Sequence, residues 1–399
     1  MSLLAAGTVA GDQPDRHVVG TSSPSAVDDA KGKADSVRRV LDFGDIGGAV
    51  AGRFSEQAIE NLRKRDDVRY VETDGTMHAI DGPGKDAPGG NPGPPGDGGG
   101  GDDGSTSECL PWGVDRTDAE VATANGADGS ADGGVDVAII DTGIDADHPD
   151  LEANLGTGRA FVDCRGGSCI QPWDDDEGHG THCAGIAGAV AANGEGVQGV
   201  APGVTLHAVK VLDKRGSGSF SDVAAGIEYV ADQGWDVGSM SLGASSGSSV
   251  VRDACEYAQG EGVLLVAAAG NSGPCTDCVG YPAAYPEVVA VSSTTDGDAL
   301  SEFSSTGPEV DLAAPGSGVY STYIDGGYET LSGTSMACPH VSGAGGMLMA
   351  DGTPASDALT TLKDNAEGIG LGSNESGAGL LDVAAAAGFD TSDDGTGDC

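Results

Sequence analysis

The chain has 399 residues, with 63 acidic residues against 19 basic ones and a formal net charge of −44. That length can bury a large core, and the charge excludes nucleic acid as a partner, because a polyanion would be repelled. Residues 108–399 alone hold 45 of the acids and 8 of the bases, so the imbalance is spread through apolar-patterned sequence, and a disordered acidic tail accounts only for the last ten residues or so.

Residues 1–35 are polar, carry Ser and Pro, and read as a disordered N-terminal segment. A compact unit is expected over 36–80. Residues 37–43 have strand character, 55–64 read as a helix with Ala58, Ile59 and Leu62 at helical spacing, and 67–72 alternate as a strand. Residues 81–107 are rich in Gly, Pro and Asp without a Gly-X-Y period, which excludes collagen and leaves a flexible linker. From 108 to 388 short apolar runs alternate with helical patterns. Strands are expected at 135–140, 206–212, 237–242, 263–268 and 288–291, and helices at 179–191, 220–233, 250–260 and 335–350. Apolar strands separated by helices predict an α/β fold, a parallel sheet flanked by helices on both faces, preceded by a small α+β unit. An acidic tail, 389–399, follows.

All nine cysteines lie at or after Cys109. Cys164-x4-Cys169 and Cys275-x2-Cys278 sit in Gly-rich loop sequence that suits short disulfide loops. Zinc is the rival reading for two such pairs, but one spacing is irregular and the surrounding loops lack histidine. Cys183 and Cys338 are expected as small buried apolar residues. No run approaches eighteen apolar residues, so no membrane helix is expected. The apolar stretch 3–10 lacks the basic flank of a signal peptide, so an export signal is expected upstream or in another form.

Ser335 stands in Gly333-Thr334-Ser335-Met336-Ala337-Cys338-Pro339-His340, at the head of a helix-compatible apolar run. Free N–H groups and the helix dipole there favour negative charge beside the hydroxyl. A serine becomes a nucleophile only with a base and an orienting acid. Asp141 ends the apolar run 137–140, and His179 stands in Gly178-His179-Gly180-Thr181-His182. Asp141 and Asn271 each follow a strand candidate, and function collects at the carboxyl ends of parallel strands. Taken singly, a turn aspartate and an Asn turn are ordinary. His179 and His182, three apart, could clamp zinc, but a third ligand and the His-Glu-x-x-His pattern are missing.

The three motifs, in the order Asp, His, Ser, closely resemble the subtilisin-like serine protease (subtilase) family. The resemblance spans nearly all of 108–388, including Thr142-Gly143-Ile144-Asp145, His148-Pro149-Asp150-Leu151 and the closing Gly377-Ala378-Gly379-Leu380. It implies that Asp141 orients His179, that His179 is the general base, and that Ser335 attacks. His182 keeps a structural role. Asn271 would join the Ser335 N–H in holding the oxyanion. Ser241-Leu242-Gly243 and Gly216-Ser217-Gly218 would pair with an extended substrate backbone, and Gly280 would floor a first specificity pocket open to large apolar side chains. Structural calcium is implied at Asp150, Asn193 and Glu108, an oxygen donor set; the bland account of these residues is an ordinary acidic surface.

Residues 36–80 resemble an inhibitory propeptide, with a first cut expected after Ile80. The resemblance therefore implies a secreted, monomeric endopeptidase of broad specificity, acting on proteins and peptides, without nucleic-acid or membrane partners, and made as an autoprocessed zymogen. The alternatives are a non-catalytic peptide-binding pseudoprotease, which needs a damaged triad, and a zinc hydrolase on His179 and His182. The acidic, Lys-poor surface suits concentrated salt, where screening falls to about 3 Å at 1 M, so a halophilic (halolysin-like) member is expected. Gly238-Ser239 replaces the family's usual β-branched residue and asparagine, Cys338 its threonine and Cys183 its valine; Gly238 is expected to weaken its strand.

Overall fold

The computed structural model describes residues 16–80, 108–130, 134–165, 169–391 and 397–399. The expected linker, 81–107, lies outside the described residues. The chain forms two compact units, one ending at Gly75 and one running from Thr76 to Cys399.

The first unit is α+β. It contains β1 (Arg16–Thr21), α1 (Pro24–Lys33), β2 (Ala34–Asp42), β3 (Gly48–Phe54), α2 (Glu56–Leu62) and β4 (Val68–Thr73). The strands pair antiparallel in the order β2-β3-β1-β4. Ser55 caps α2 by accepting from the Ala58 N–H, as its place ahead of the helical spacing requires. Val19, Ala30, Val50, Phe54, Ile59 and Leu62 form the core.

Two expectations are corrected here. Residues 16–35 are not a disordered segment: β1 is a central strand paired on both edges, and Ser23 and Pro24 are the N-cap and first residue of α1. The unit therefore does not start at 36. Thr76–Ile80 makes its contacts within the second unit.

The second unit holds β5 (Thr76–Ala79), the short helices α3 (Trp112–Arg116) and α4 (Ala119–Ala124), then β6 (Asp136–Asp141), β7 (Arg159–Ala160) and α5 (His179–Gly188). Next come β8 (Thr205–Lys210), β9 (Ser217–Ser219), α6 (Phe220–Gln233), β10 (Val237–Met240), β11 (Leu242–Gly243) and α7 (Ser249–Gly260). Strands β12 (Leu264–Ala268), β13 (Val289–Thr294), β14 (Val310–Pro315), β15 (Val319–Tyr323) and β16 (Gly327–Leu331) precede α8 (Thr334–Ala350) and α9 (Ala355–Asp364). Seven strands form a parallel sheet in the order β14-β13-β12-β10-β6-β8-β7. Strand β14, which the sequence reading overlooked, lies at the sheet edge, where its terminal Pro315 is tolerated.

Alternation along the strands separates two cores. Val137, Ile139, Val237, Val266 and Ala268 share a cluster with α5 and α8. On the other face, Ile140 and Val209 crowd Gly226 of α6. Gly238 is where the sheet needs no side chain: a Cβ there would lie 2.9 Å from Leu265 Cδ2, so the space is filled by its neighbour. Ser239, buried beside it, accepts from Ser342 Oγ at 2.8 Å.

The end of the chain departs from the expected disordered acidic tail. Cys399 is disulfide-bonded to Cys109, the Leu110 N–H donates to Asp398 Oδ1 at 2.6 Å, and Asp398 N–H donates to the Leu110 carbonyl. The two short loops close as expected, Cys164–Cys169 and Cys275–Cys278, while Cys183, Cys255 and Cys338 are buried free thiols.

Candidate active site

Asp141 is the last residue of β6 and is fully buried. Its Oδ1 accepts from the Thr142 N–H at 2.7 Å and from His179 Nδ1 at 2.8 Å. A carboxylate oxygen can only accept, so Nδ1 carries the proton and Nε2 keeps its lone pair. Burial pushes the Asp141 carboxyl up, against the opposing pull of His179.

His179 is the first residue of α5, and the turn before it is clamped. Asp175 accepts from the Glu177, Gly178 and Thr181 N–H groups and from Thr181 Oγ1, which satisfies donors that a helix start leaves open. The Gly180 N–H donates to Thr142 Oγ1, and a Cβ at Gly180 would lie 2.2 Å from the Gly143 carbonyl. Only glycine lets this helix approach the end of β6 so closely. Cys183, four residues after His179 and so on the same helix face, donates weakly to the Ser335 carbonyl at 3.5 Å. The His179 face of α5 thus looks at the start of α8.

Ser335 is the second residue of α8. Its hydroxyl lies 2.8 Å from the Ile80 carbonyl oxygen, with the Ser241 carbonyl at 3.2 Å. Asn271 Nδ2 donates to the same Ile80 oxygen at 3.0 Å. The amide cannot be reversed without loss, because Asn271 Oδ1 accepts from both the N–H and the hydroxyl of Thr334, each at 3.0 Å. The Thr334 hydroxyl in turn accepts from the Gly270 N–H. Ser335 and Asn271 therefore converge on one carbonyl.

Ile80 arrives there on β5, which is sandwiched antiparallel between β9 and β11. The Ala79 N–H donates to the Gly216 carbonyl and the Ile80 N–H to the Ser241 carbonyl. Leu242 pairs with Ala79, Gly243 and Ser217 with His78, and Gly218 with Met77. The Ile80 side chain lies over Gly243, where a Cβ would come within 3.1 Å of Cδ1. Gly280 is tied to the end of β12 by its N–H bond to Ala269.

The sequence pattern described as the subtilase family matches residues 132–379. The chain belongs to the subtilase family. This subtilase is 47% identical to thermitase of Thermoactinomyces vulgaris over 236 residues, 59% of this chain and 82% of that protein. It is 42% identical to subtilisin DY of Bacillus licheniformis over 287 residues, 70% of this chain and all of that protein. Over 396 residues it is 35% identical to subtilisin J of Geobacillus stearothermophilus, 97% of this chain and 93% of that one. It is a subtilisin-like serine endopeptidase.

The remaining candidates of this subtilase gather at a second place. Asn193 Nδ2 donates to Asp150 Oδ1 at 2.7 Å, Asp150 Oδ2 accepts from the Val197 N–H, and Glu108 accepts from the Ala192 and Gly194 N–H groups. Burial pushes the Asp150 carboxyl up to about 6. His182 lies outside both groups: its Nε2 faces the Glu329 carbonyl at 3.0 Å, burial pushes it down to about 3, and among the described residues the ligand cluster that includes His179 takes in Asp141 and Cys183, not His182. No helix among the described residues is long and apolar enough to cross a membrane.

Sequence reading missed Thr334, Asp175 and the hydroxyl of Ser241. Only Asp175 carried a signal, an acid run just ahead of a predicted helix.

Proposed function

We propose that Ser335 is the nucleophile, His179 its general base, Asp141 the group that holds His179, and Asn271 with the Ser335 N–H the oxyanion donors. The observation that carries this reading is the Ile80 carbonyl, which receives Asn271 Nδ2 and lies within 2.8 Å of Ser335 Oγ. In the first step Ser335 Oγ bonds to the carbonyl carbon while its proton passes to His179 Nε2. The carbonyl oxygen becomes an oxyanion facing Asn271. Collapse breaks the bond to the nitrogen of the next residue, which takes the proton from His179, and water then releases the acyl group by the same route.

On this reading the N-terminal unit is an inhibitory propeptide, and Thr76–Ile80 is its end, lying in the substrate groove with Ile80 before the scissile bond. Gly243 and Gly280 leave the first pocket open to an apolar side chain, and substrates are proteins and peptides of varied sequence. Three disulfides fit an oxidising, extracellular setting for a secreted monomer, and the net charge fits a halophilic, halolysin-like member. Calcium suits the second cluster: the Asp150 and Glu108 carboxylates would hold it, joined by Asn193 once its amide oxygen, which here accepts from the Glu195 N–H, is turned toward Asp150, and a hard cation would neutralise the buried Asp150 and stiffen the loop around 192–197.

The experiment is a time course of N-terminal sequencing during maturation, with fluorophosphonate labelling of the product. A first cut after Ile80 and a label on Ser335 are expected, and neither occurs in Ser335→Ala. A first cut within residues 36–70, or processing of Ser335→Ala at the wild-type rate, would overturn the assignment.

A further inference from the structure

Strand β9 reads Ser217–Ser219, and its approach to β5 begins one residue earlier at Gly216. Counting back from the scissile bond, Ile80 is position one, Ala79 two, His78 three and Met77 four. Gly216 faces position two, Ser217 position three and Gly218 position four. On the opposite edge, position three faces Gly243.

The consequence follows from antiparallel geometry, in which directly opposed residues share a face with Cβ atoms about 5 Å apart. Glycines oppose positions two and four because side chains would not fit there. A Cβ on Gly216 would stand 3.1 Å from the Ala79 Cβ, and one on Gly218 would stand 2.2 Å from the Val211 carbonyl. Opposite positions two to four, Ser217 is the residue of this edge that carries a side chain, and its Oγ lies 3.0 Å from His78 Nδ1. The other contact of that hydroxyl is a long one to the Arg215 carbonyl, 3.4 Å, which leaves it able to turn toward the groove.

We propose that Ser217 is a specificity-determining residue, which selects at the third position before the cut a side chain with a hydrogen-bonding atom two bonds from Cβ. Histidine and asparagine meet that requirement, and alanine does not. A hydroxyl both donates and accepts, so it serves either histidine tautomer and either face of an asparagine amide. The substrate class is thus narrower than any apolar first residue, and the enzyme's own Met77-His78-Ala79-Ile80 is an instance of it. This inference rests on the reading of β5 as bound in the substrate groove.

The test uses the mature enzyme and fluorogenic peptides Met-X-Ala-Ile, with X as His, Asn or Ala, and compares ratios of kcat/KM. Wild type should favour His and Asn over Ala about threefold to tenfold, the range of one net hydrogen bond at an exposed site. In Ser217→Ala the ratios should fall to about one, and in Ser217→Thr the preference should return. A His-to-Ala ratio that is the same in wild type and Ser217→Ala would overturn the inference while leaving the proteolytic reading intact. Failure to cut any of the three peptides would instead count against the groove itself, and this inference would fall with it.

Discussion

Ser241 donates its hydroxyl proton to the carbonyl oxygen of Ser335 at 2.8 Å, inside the first turn of α8. In an unbroken helix that carbonyl would accept from the N–H four residues on, but residue 339 is proline and has none. Ser241 fills the bond, with the Cys183 thiol as a weaker second donor. The helix that carries Ser335 is therefore completed from β10–β11 across the site. Ser241→Ala should leave a buried acceptor with only a thiol and cost about 1–3 kcal/mol. Urea unfolding in a Ser335→Ala background, where self-digestion is absent, measures it; an unchanged midpoint would refute the role.

Calcium should raise the melting temperature and a chelator should lower it. Protons compete for Asp150, whose carboxyl is pushed up to about 6, so the calcium response should be larger near pH 7.5 than near pH 5. Asp150→Asn should remove most of the difference. Equal melting curves with calcium and with chelator would sink the assignment.

Salt should stabilise this chain. Its net charge of −44 gives self-repulsion that reaches about 10 Å at 0.1 M and about 3 Å at 1 M. The melting temperature should climb steadily between these concentrations and beyond, and a flat profile would remove the halophilic reading.

Acid should unfold the protein partly through His340. This side chain is buried, its Nδ1 donates to the Met336 carbonyl, and burial pushes it down to about 4. The unfolded chain takes up the proton near the ordinary 6.5, the folded one only near 4, so stability from this group is full above about 6.5 and is lost as pH falls toward 4. The linked change is about 3 kcal/mol. In His340→Asn, whose amide can still reach the Met336 carbonyl, the slope of stability against pH over that window should flatten. An unchanged slope would assign acid sensitivity elsewhere.

The Cys109–Cys399 bridge spans 290 residues, against 3 for Cys275–Cys278. A longer loop loses more entropy when closed in the unfolded chain, so Cys399→Ser should cost about 3–5 kcal/mol and the short bridge far less. Unfolding midpoints of the two single variants decide it; equal losses would mean that the long bridge acts only locally.

Much of the fold could be read in short windows. Apolar runs bounded by turn residues located β6, β8, β10, β12 and β13, and helical spacing located α5 to α8, because strand and helix periodicity are local properties of ten or so residues. Asp141, His179, Ser335 and Asn271 were visible for the same reason, each embedded in small residues at the end of a strand or the start of a helix. The errors were also local. Ser23-Pro24 has the same chemistry in a loop and at a helix start, and only the pairing of β1 between β3 and β4 distinguishes the two.

What no window contains is a partner far along the chain. That Cys399 bonds Cys109 and not one of seven other cysteines depends on where both ends of the sheet bring the chain. That Ser241 serves Ser335, and Thr334 holds Asn271, depends on the packing of α8 across the face of the sheet. That Ser217 meets His78 depends on strand register, where a slip of one residue would put a glycine there instead. The residue types and local conformations were set by sequence; their convergence on one carbonyl was decided by the tertiary structure, because hydrogen bonds and side-chain contacts act over a few ångströms whatever the separation along the chain.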